Sequence, residues 1–144
     1  MSDHCEFPRV AVVQTPFPSD NTTQVESVFF DSNGLSISVS SQHWDAKVVF
    51  KQTYGFRVLD ELDLAEFWPL CTLADGWFFE VTSGGWKDLE LARPYFVSGR
   101  QEWVREYLVI GINECVSVLT KEEPSVFANA PFNHSLQPTA AGRG

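Results

Sequence analysis

One hundred and forty-four residues, 44% hydrophobic and 20% charged, suffice for one domain with a real core and argue against wholesale disorder. Ten lysines and arginines against nineteen aspartates and glutamates leave a net charge of −9, which excludes a general phosphate-neutralising surface for nucleic acid and disfavours anionic membranes. No run approaches about 18 consecutive apolar residues; the start, MSDHCEFPR, has no secretory pattern, and Cys5, Cys71 and Cys115, an odd set without a CxxC pair, read as free thiols of a reduced cytoplasmic protein.

In chain order, a compact domain is expected over 7–127, with 128–144 as a flexible C-terminal tail of small and polar residues. Thr15–Thr23, with two prolines, reads as a loop. Val25–Asp31 and Leu35–Ser40 flank Asn33-Gly34, the preferred pair for a two-residue hairpin turn. That turn sets Ser32 opposite Leu35, Phe30 opposite Ile37 and Val28 opposite Val39, one face apolar and the other mostly hydroxyl. Ala46–Val58 alternates with period 2 and reads as one long strand, with Gly55 marking a bulge or bend. The short link Ser41–Trp44 returns this strand antiparallel beside Leu35–Ser40.

Next comes LDELDLAEFWP. Asp60 is placed as an N-cap with Asp63 three residues on, Leu59 and Leu64 are spaced as a staple, and Pro69 stops a helix of about two turns. GWFFEVTS reads as a strand, Gly84-Gly85 as a turn, and Trp86–Arg93 as a short helix ended by Pro94. Trp103–Ile110 and Glu114–Leu119 form a second hairpin, with Cys115 as a small core residue. The sum is an α+β fold, mainly antiparallel β: a curled sheet or partly open barrel of six to seven strands with two short helices. Phe29-Phe30 and Phe78-Phe79 are adjacent pairs, so one member of each points away from the main core, under a helix or into an exposed patch or cavity.

No motif assembles a catalytic set. Asp60, Glu61, Asp63 and Glu66 have the residue type for acid–base work or a hard cation, but capping already explains part of the cluster, and no D-x-D-x-D-G loop adds ligands. His4, His43 and His134 lack metal spacing. His43, near Ser40, Ser41 and Asp45, reads as a loop histidine, since a triad is assembled from distant segments. Neither GxxxxGK[ST] nor GxGxxG is present. No cofactor or metal is therefore expected.

Between Ala46 and Pro124, the segments YGFRVLDELDLAEFW, GWFFEVTSGGW and EYLVIGINECVSVL resemble a set of small single-domain bacterial proteins of unassigned activity, some of them similar to toxin-immunity proteins. The resemblance is one of scaffold pattern and implies no site residues. Acidity, aromatic content and the lack of a catalytic set lead to a non-enzymatic binding protein, an acidic inhibitor or immunity-type partner of a basic protein. The residues expected to carry it are Asp60, Glu61, Asp63 and Glu66, with Trp44 and Trp86 as anchors. Two alternatives stand beside it: a small-ligand carrier or sensor with an aromatic-lined cavity, and an enzyme of unrecognised type.

Overall fold

The computed structural model describes residues 8–69, 71–97 and 103–129. Within them run nine strands: β1 (Arg9–Val12), β2 (Gln24–Asp31), β3 (Gly34–Ser40), β4 (Asp45–Phe50), β5 (Thr53–Asp60), β6 (Phe78–Ser83), β7 (Arg105–Ile110), β8 (Glu114–Thr120) and β9 (Ser125–Ala128). A 3-10 helix covers Glu61–Phe67 and the helix α1 covers Trp86–Leu91. The fold is mainly antiparallel β, but the strands divide between two sheets instead of one curled layer, and no barrel closes among the described residues. The larger sheet has the order β1-β6-β7-β8-β5, and the smaller has the order β2-β3-β4-β9.

The two sheets pack face to face. In β3 and β4 every second residue (Leu35, Ile37, Val39, Ala46, Val48, Phe50) is fully buried, as period-2 alternation requires of a sheet with one wet face. Phe50 meets Phe78 and Tyr107 of the larger sheet at ring distances of 6.4 and 5.8 Å. Burying such a ring contributes about 1.5–3 kcal/mol. The other face of the larger sheet is covered as well. There lie Phe79, Leu108, Ile110, Cys115 and Leu119, all buried, beneath α1, the 3-10 helix and the segment after it, whose Leu64, Phe67 and Cys71 are also buried.

Three local expectations change. The run Ala46–Val58 is not one strand: it breaks at Lys51-Gln52 and passes from the smaller sheet (β4) to the larger (β5). Alternation persists through the break, so the sequence carries no sign of it, although the irregularity expected at Gly55 is present as a register shift between Thr53 and Gly55. The first hairpin turns at Ser32-Asn33, one residue earlier than expected, so Phe30 pairs with Leu35 and Val28 with Ile37. Asp31 Oδ1 accepts the Asn33 N–H at 2.8 Å, an Asx turn, and Gly34 opens β3 at φ +120°, where an added Cβ would collide with the Phe50 carbonyl oxygen. The shift is by two in pairing, which leaves each side chain on its expected face. Finally, Ala128 belongs to the fold: it pairs with Ala46 in β9, and Asn129 donates its N–H to the Asp45 carbonyl. The rest of the expected tail, 130–144, lies outside the described residues, as does Cys5.

The adjacent phenylalanines resolve differently in the two pairs. Phe78 and Phe79 are both buried because their sheet has two covered faces. Phe30 reaches Phe56 at the edge of the sandwich, at 5.5 Å, while Phe29 stands on the wet face of the smaller sheet, 62% exposed. Urea denaturation is expected to show Phe50→Ala losing about 3–5 kcal/mol of stability, and Phe29→Ser remaining within about 0.5 kcal/mol of the wild type.

Candidate functional site

Antiparallel strands alternate between two ends of the sandwich, and the ladder registers say which turns share an end. Asp60 pairs with Glu114, and Ile110 with Cys115. The Ile112 N–H donates to Thr23 O, and Gln42 N–H to Thr22 Oγ1. The Ser19 hydroxyl donates to Leu73 O. One end therefore gathers the turns around residues 20–23, 41–45, 60–63, 71–76 and 111–114. Asp20, Asp45, Asp60, Glu61, Asp63, Asp75 and Glu114 all lie there.

No described lysine or arginine does. Lys51 and Lys121 occupy turns at the opposite end, with Arg9 and Arg105 in strand ends there, while Lys47 and Arg57 are mid-strand and Lys87 and Arg93 lie on or just after α1. The ion pairs among the described residues are Arg93–Glu90 and those of Arg105 with Glu80 and Glu123, so none involves the acidic end.

Several of these acids have local work. Asp60 Oδ1 accepts the Leu62 N–H at 2.9 Å and caps the 3-10 helix as expected, although the helix departs from regular geometry at Leu64 (φ −123°, ψ 35°). Asp20 accepts the Thr22 N–H, and Asp75 the Thr72 N–H. Glu61, Asp63 and Glu114 make no side-chain hydrogen bond among the described residues. Beside them a cavity of about 240 Å³ lies between the segment Trp68–Leu73 and the β7–β8 turn, lined by Glu61, Trp68, Cys71 and Ile112. The Trp68 indole N–H is held by Glu61 O at 2.9 Å, and Leu62, 77% exposed, stands on the same helix. The end thus combines a negative rim, an apolar seat and protruding aliphatic side chains.

The two tryptophans expected as anchors are half-buried and each packs against the body. Trp44 packs between Phe17 (5.5 Å) and Trp77 (5.4 Å), and its indole N–H donates to Pro18 O at 2.7 Å. The Trp77 indole likewise donates to Phe17 O, so the proline-rich loop is fastened to the acidic end by two indoles. Trp86 starts α1, lies beneath the Arg57 guanidinium at 5.0 Å and donates to Glu90. Glu66, on the 3-10 helix with Glu61 and Asp63, acts on this same Arg57 through its charge. His43 is an exposed turn residue whose backbone N–H is taken by Ser41 Oγ; His4 and His134 lie outside the described residues.

A second polar group sits on the helix-covered face and has no signature in the sequence. Glu106, 2% exposed, accepts the backbone N–H groups of Trp86 and Lys87 at 2.9 Å each. A side chain from the sheet therefore caps α1, which has none of its own at Gly85. Nearby, Arg57 and Ser117 are cross-strand partners, and Arg57 Nε and Ser117 Oγ are buried without a hydrogen bond. Burial holds Arg57 below its usual basicity and pushes the Glu106 carboxyl up, against the pull of its two backbone hydrogen bonds and of Arg57. Ionisable groups from separate strands do meet here, but both carboxylate oxygens are committed to the α1 backbone. A Cβ at residue 85 would lie 2.7 Å from Glu106 Oε2, so Gly85 is what lets the carboxylate reach the helix.

Compared with known protein families, curated proteins and solved structures, the chain shows no significant match. No helix among the described residues is long and apolar enough to cross a membrane.

Two outcomes follow from these burials. Burial pushes the Cys71 and Cys115 thiols up to about 12 and about 11, so both stay protonated and covered. In a Cys5→Ser background, neither is expected to react with a disulfide reagent at about pH 8 until the protein is unfolded, and both then react. The Glu106 carboxyl has its folded pKa raised above the usual 4.5, so the native state binds that proton more tightly than the unfolded chain. Its contribution to stability is therefore fully present below 4.5 and is lost as pH rises through the folded value. In urea titrations over that window, the wild type should lose ground to Glu106→Gln with rising pH. Glu90 and Asp20, held low by hydrogen bonds, act in the opposite sense, below their ordinary values.

Proposed function

We propose that the protein is a non-enzymatic binding module that docks a basic protein through its acidic end, and that inhibition of that partner is the form this binding takes. The observation that carries the reading is the segregation of charge: the carboxylates of five separate turns share one end, with no described cation among them. A single-signed surface raises the encounter rate with an oppositely charged partner and makes the affinity fall with salt. The cavity beside Trp68 offers a seat for one apolar or long basic side chain, and Leu62 and Ile112 supply contact area that carboxylates alone do not. Trp44 and Trp86 act in this reading as supports: the first holds the proline-rich loop in place, the second holds α1.

The test uses a variant that spares the capping acids: Glu61→Gln, Asp63→Asn and Glu114→Gln together. Bait of each kind, equal in melting temperature, is exposed to lysate of the source cells at low ionic strength. The wild type should retain a basic polypeptide that salt releases, with the variant retaining at least about tenfold less. Equal retention by both proteins, or a partner held through high salt, would remove the acidic end as the docking site.

A further inference from the structure

A second opening lies away from the acidic end. Along one side of the sandwich Phe30 and Phe56 bring the sheets together; along the other, between the edge strands β1 and β9, a cleft of about 420 Å³ stays open. That volume falls in the range of about 300–1,000 Å³ typical of small-molecule sites. Its walls are mixed: Ala11, Val13 and Pro16 supply apolar contact on one side and Pro124 and Val126 on the other, with Gln14, Thr15 and Glu123 among them. Its floor is polar and comes from the sheet face that looks into the sandwich: Glu80, Arg105 and Tyr107.

The floor has donors to spare. Glu80 takes two of the Arg105 nitrogens, Nε and Nη2, each at 2.9 Å, and so both neutralises and orients the guanidinium. Arg105 Nη1 is left facing Glu123 Oε2 at 4.0 Å, beyond hydrogen-bond reach. The Tyr107 ring is locked by Phe50 and Phe78 and only 2% of the residue is exposed, yet its hydroxyl makes no hydrogen bond among the described residues. The Arg105 guanidinium lies 5.5 Å from the centre of that ring, so both side chains that carry an unfilled donor line the base of the cleft.

This arrangement selects by charge. An anionic head group meets Glu80 and Glu123, and the wider field of a chain carrying −9. A cationic one is drawn to Glu123 at the rim but meets the Arg105 guanidinium within and can accept from neither unfilled donor. An uncharged carbonyl oxygen accepts from Arg105 Nη1 and Tyr107 Oη and brings no charge of its own to be desolvated. We propose that the cleft between β1 and β9 binds an uncharged amphipathic molecule by a carbonyl oxygen, with its hydrocarbon part against Val13 and Val126. The site is independent of the acidic end, and either can be lost without the other.

Three probes of one chain length isolate the head group: octanamide, octanoate and octylammonium, titrated into the full chain and followed by amide chemical shifts. Octanamide should bind saturably, shift the amides of Arg105–Tyr107 and of residues 12–15, and bind about tenfold more tightly than the two charged probes. Tyr107→Phe keeps the packed ring and removes one donor, and should weaken octanamide binding by about tenfold. The proposal is overturned if a charged probe binds as tightly as octanamide, if the shifts map outside the cleft, if no probe saturates, or if Tyr107→Phe binds octanamide like the wild type. The mapping on wild-type protein decides the matter even if the variant is poorly folded.

Discussion

Most of β7 and β8 has no solvent face: every residue of Glu106–Ile110 and Cys115–Thr120 is buried. One side of these strands meets Phe50 and the smaller sheet, and the other lies under α1 and the 3-10 helix. Apart from the Tyr107 hydroxyl, which opens on the β1–β9 cleft, a polar group placed on these strands has only the protein to pair with. Thr120 finds the Gln52 carbonyl, Glu106 finds the two N-terminal amides of α1, and Ser117 finds none. The position of α1 follows from this demand, since a six-residue helix with no buried residue of its own is pinned by the carboxylate beneath its first turn. An isolated helix of that length would not persist in water.

The same layering explains where recognition is left to occur. With the interior filled by Phe50, Phe78 and Tyr107, and both faces of the larger sheet covered, openings remain at the ends and along the β1–β9 side. At the acidic end, residues that satisfy turn backbones, Asp20, Asp60 and Asp75, also sum to a field. The hydrogen bonds are local and short-ranged. The field extends over roughly a Debye length, about 8–10 Å, and binds the turns into one electrostatic surface. Along the side, the Glu80–Arg105 pair keeps a charged residue inside the sandwich mouth by cancelling most of its charge, which leaves directional donors in place of a strong anion site.

Local chemistry was legible wherever one short segment decides its own conformation. The Asp60 cap, the Ser41–Trp44 return, the irregularity at Gly55, the helix after Gly85 and the hairpin at residues 111–113 all depend on neighbours a few positions away. The hairpin register was missed by one turn position because Asp31 and Asn33 form an Asx turn that competes with the Asn-Gly preference. The acids of the 3-10 helix were visible as a cluster. Their alliance with Asp20, Asp45, Asp75 and Glu114 was not, since those residues are up to 94 positions apart in the chain, from Asp20 to Glu114, and meet only through strand order.

By itself, then, the sequence determined the antiparallel β character, the turns and caps, and the excess of negative charge, because each depends on residue type and near-neighbour spacing. Tertiary structure alone decided that Ala46–Val58 divides between two sheets, that Trp44 packs on Phe17 and Trp77 and Trp86 under Arg57, that Glu106 caps a helix twenty residues before it, and that Arg105 and Tyr107 floor a cleft. The physical reason is common to all four. Alternation specifies which side chains share a face, but not which surface that face will meet; that is settled by the packing of one layer on another, a contact between residues that no local pattern connects.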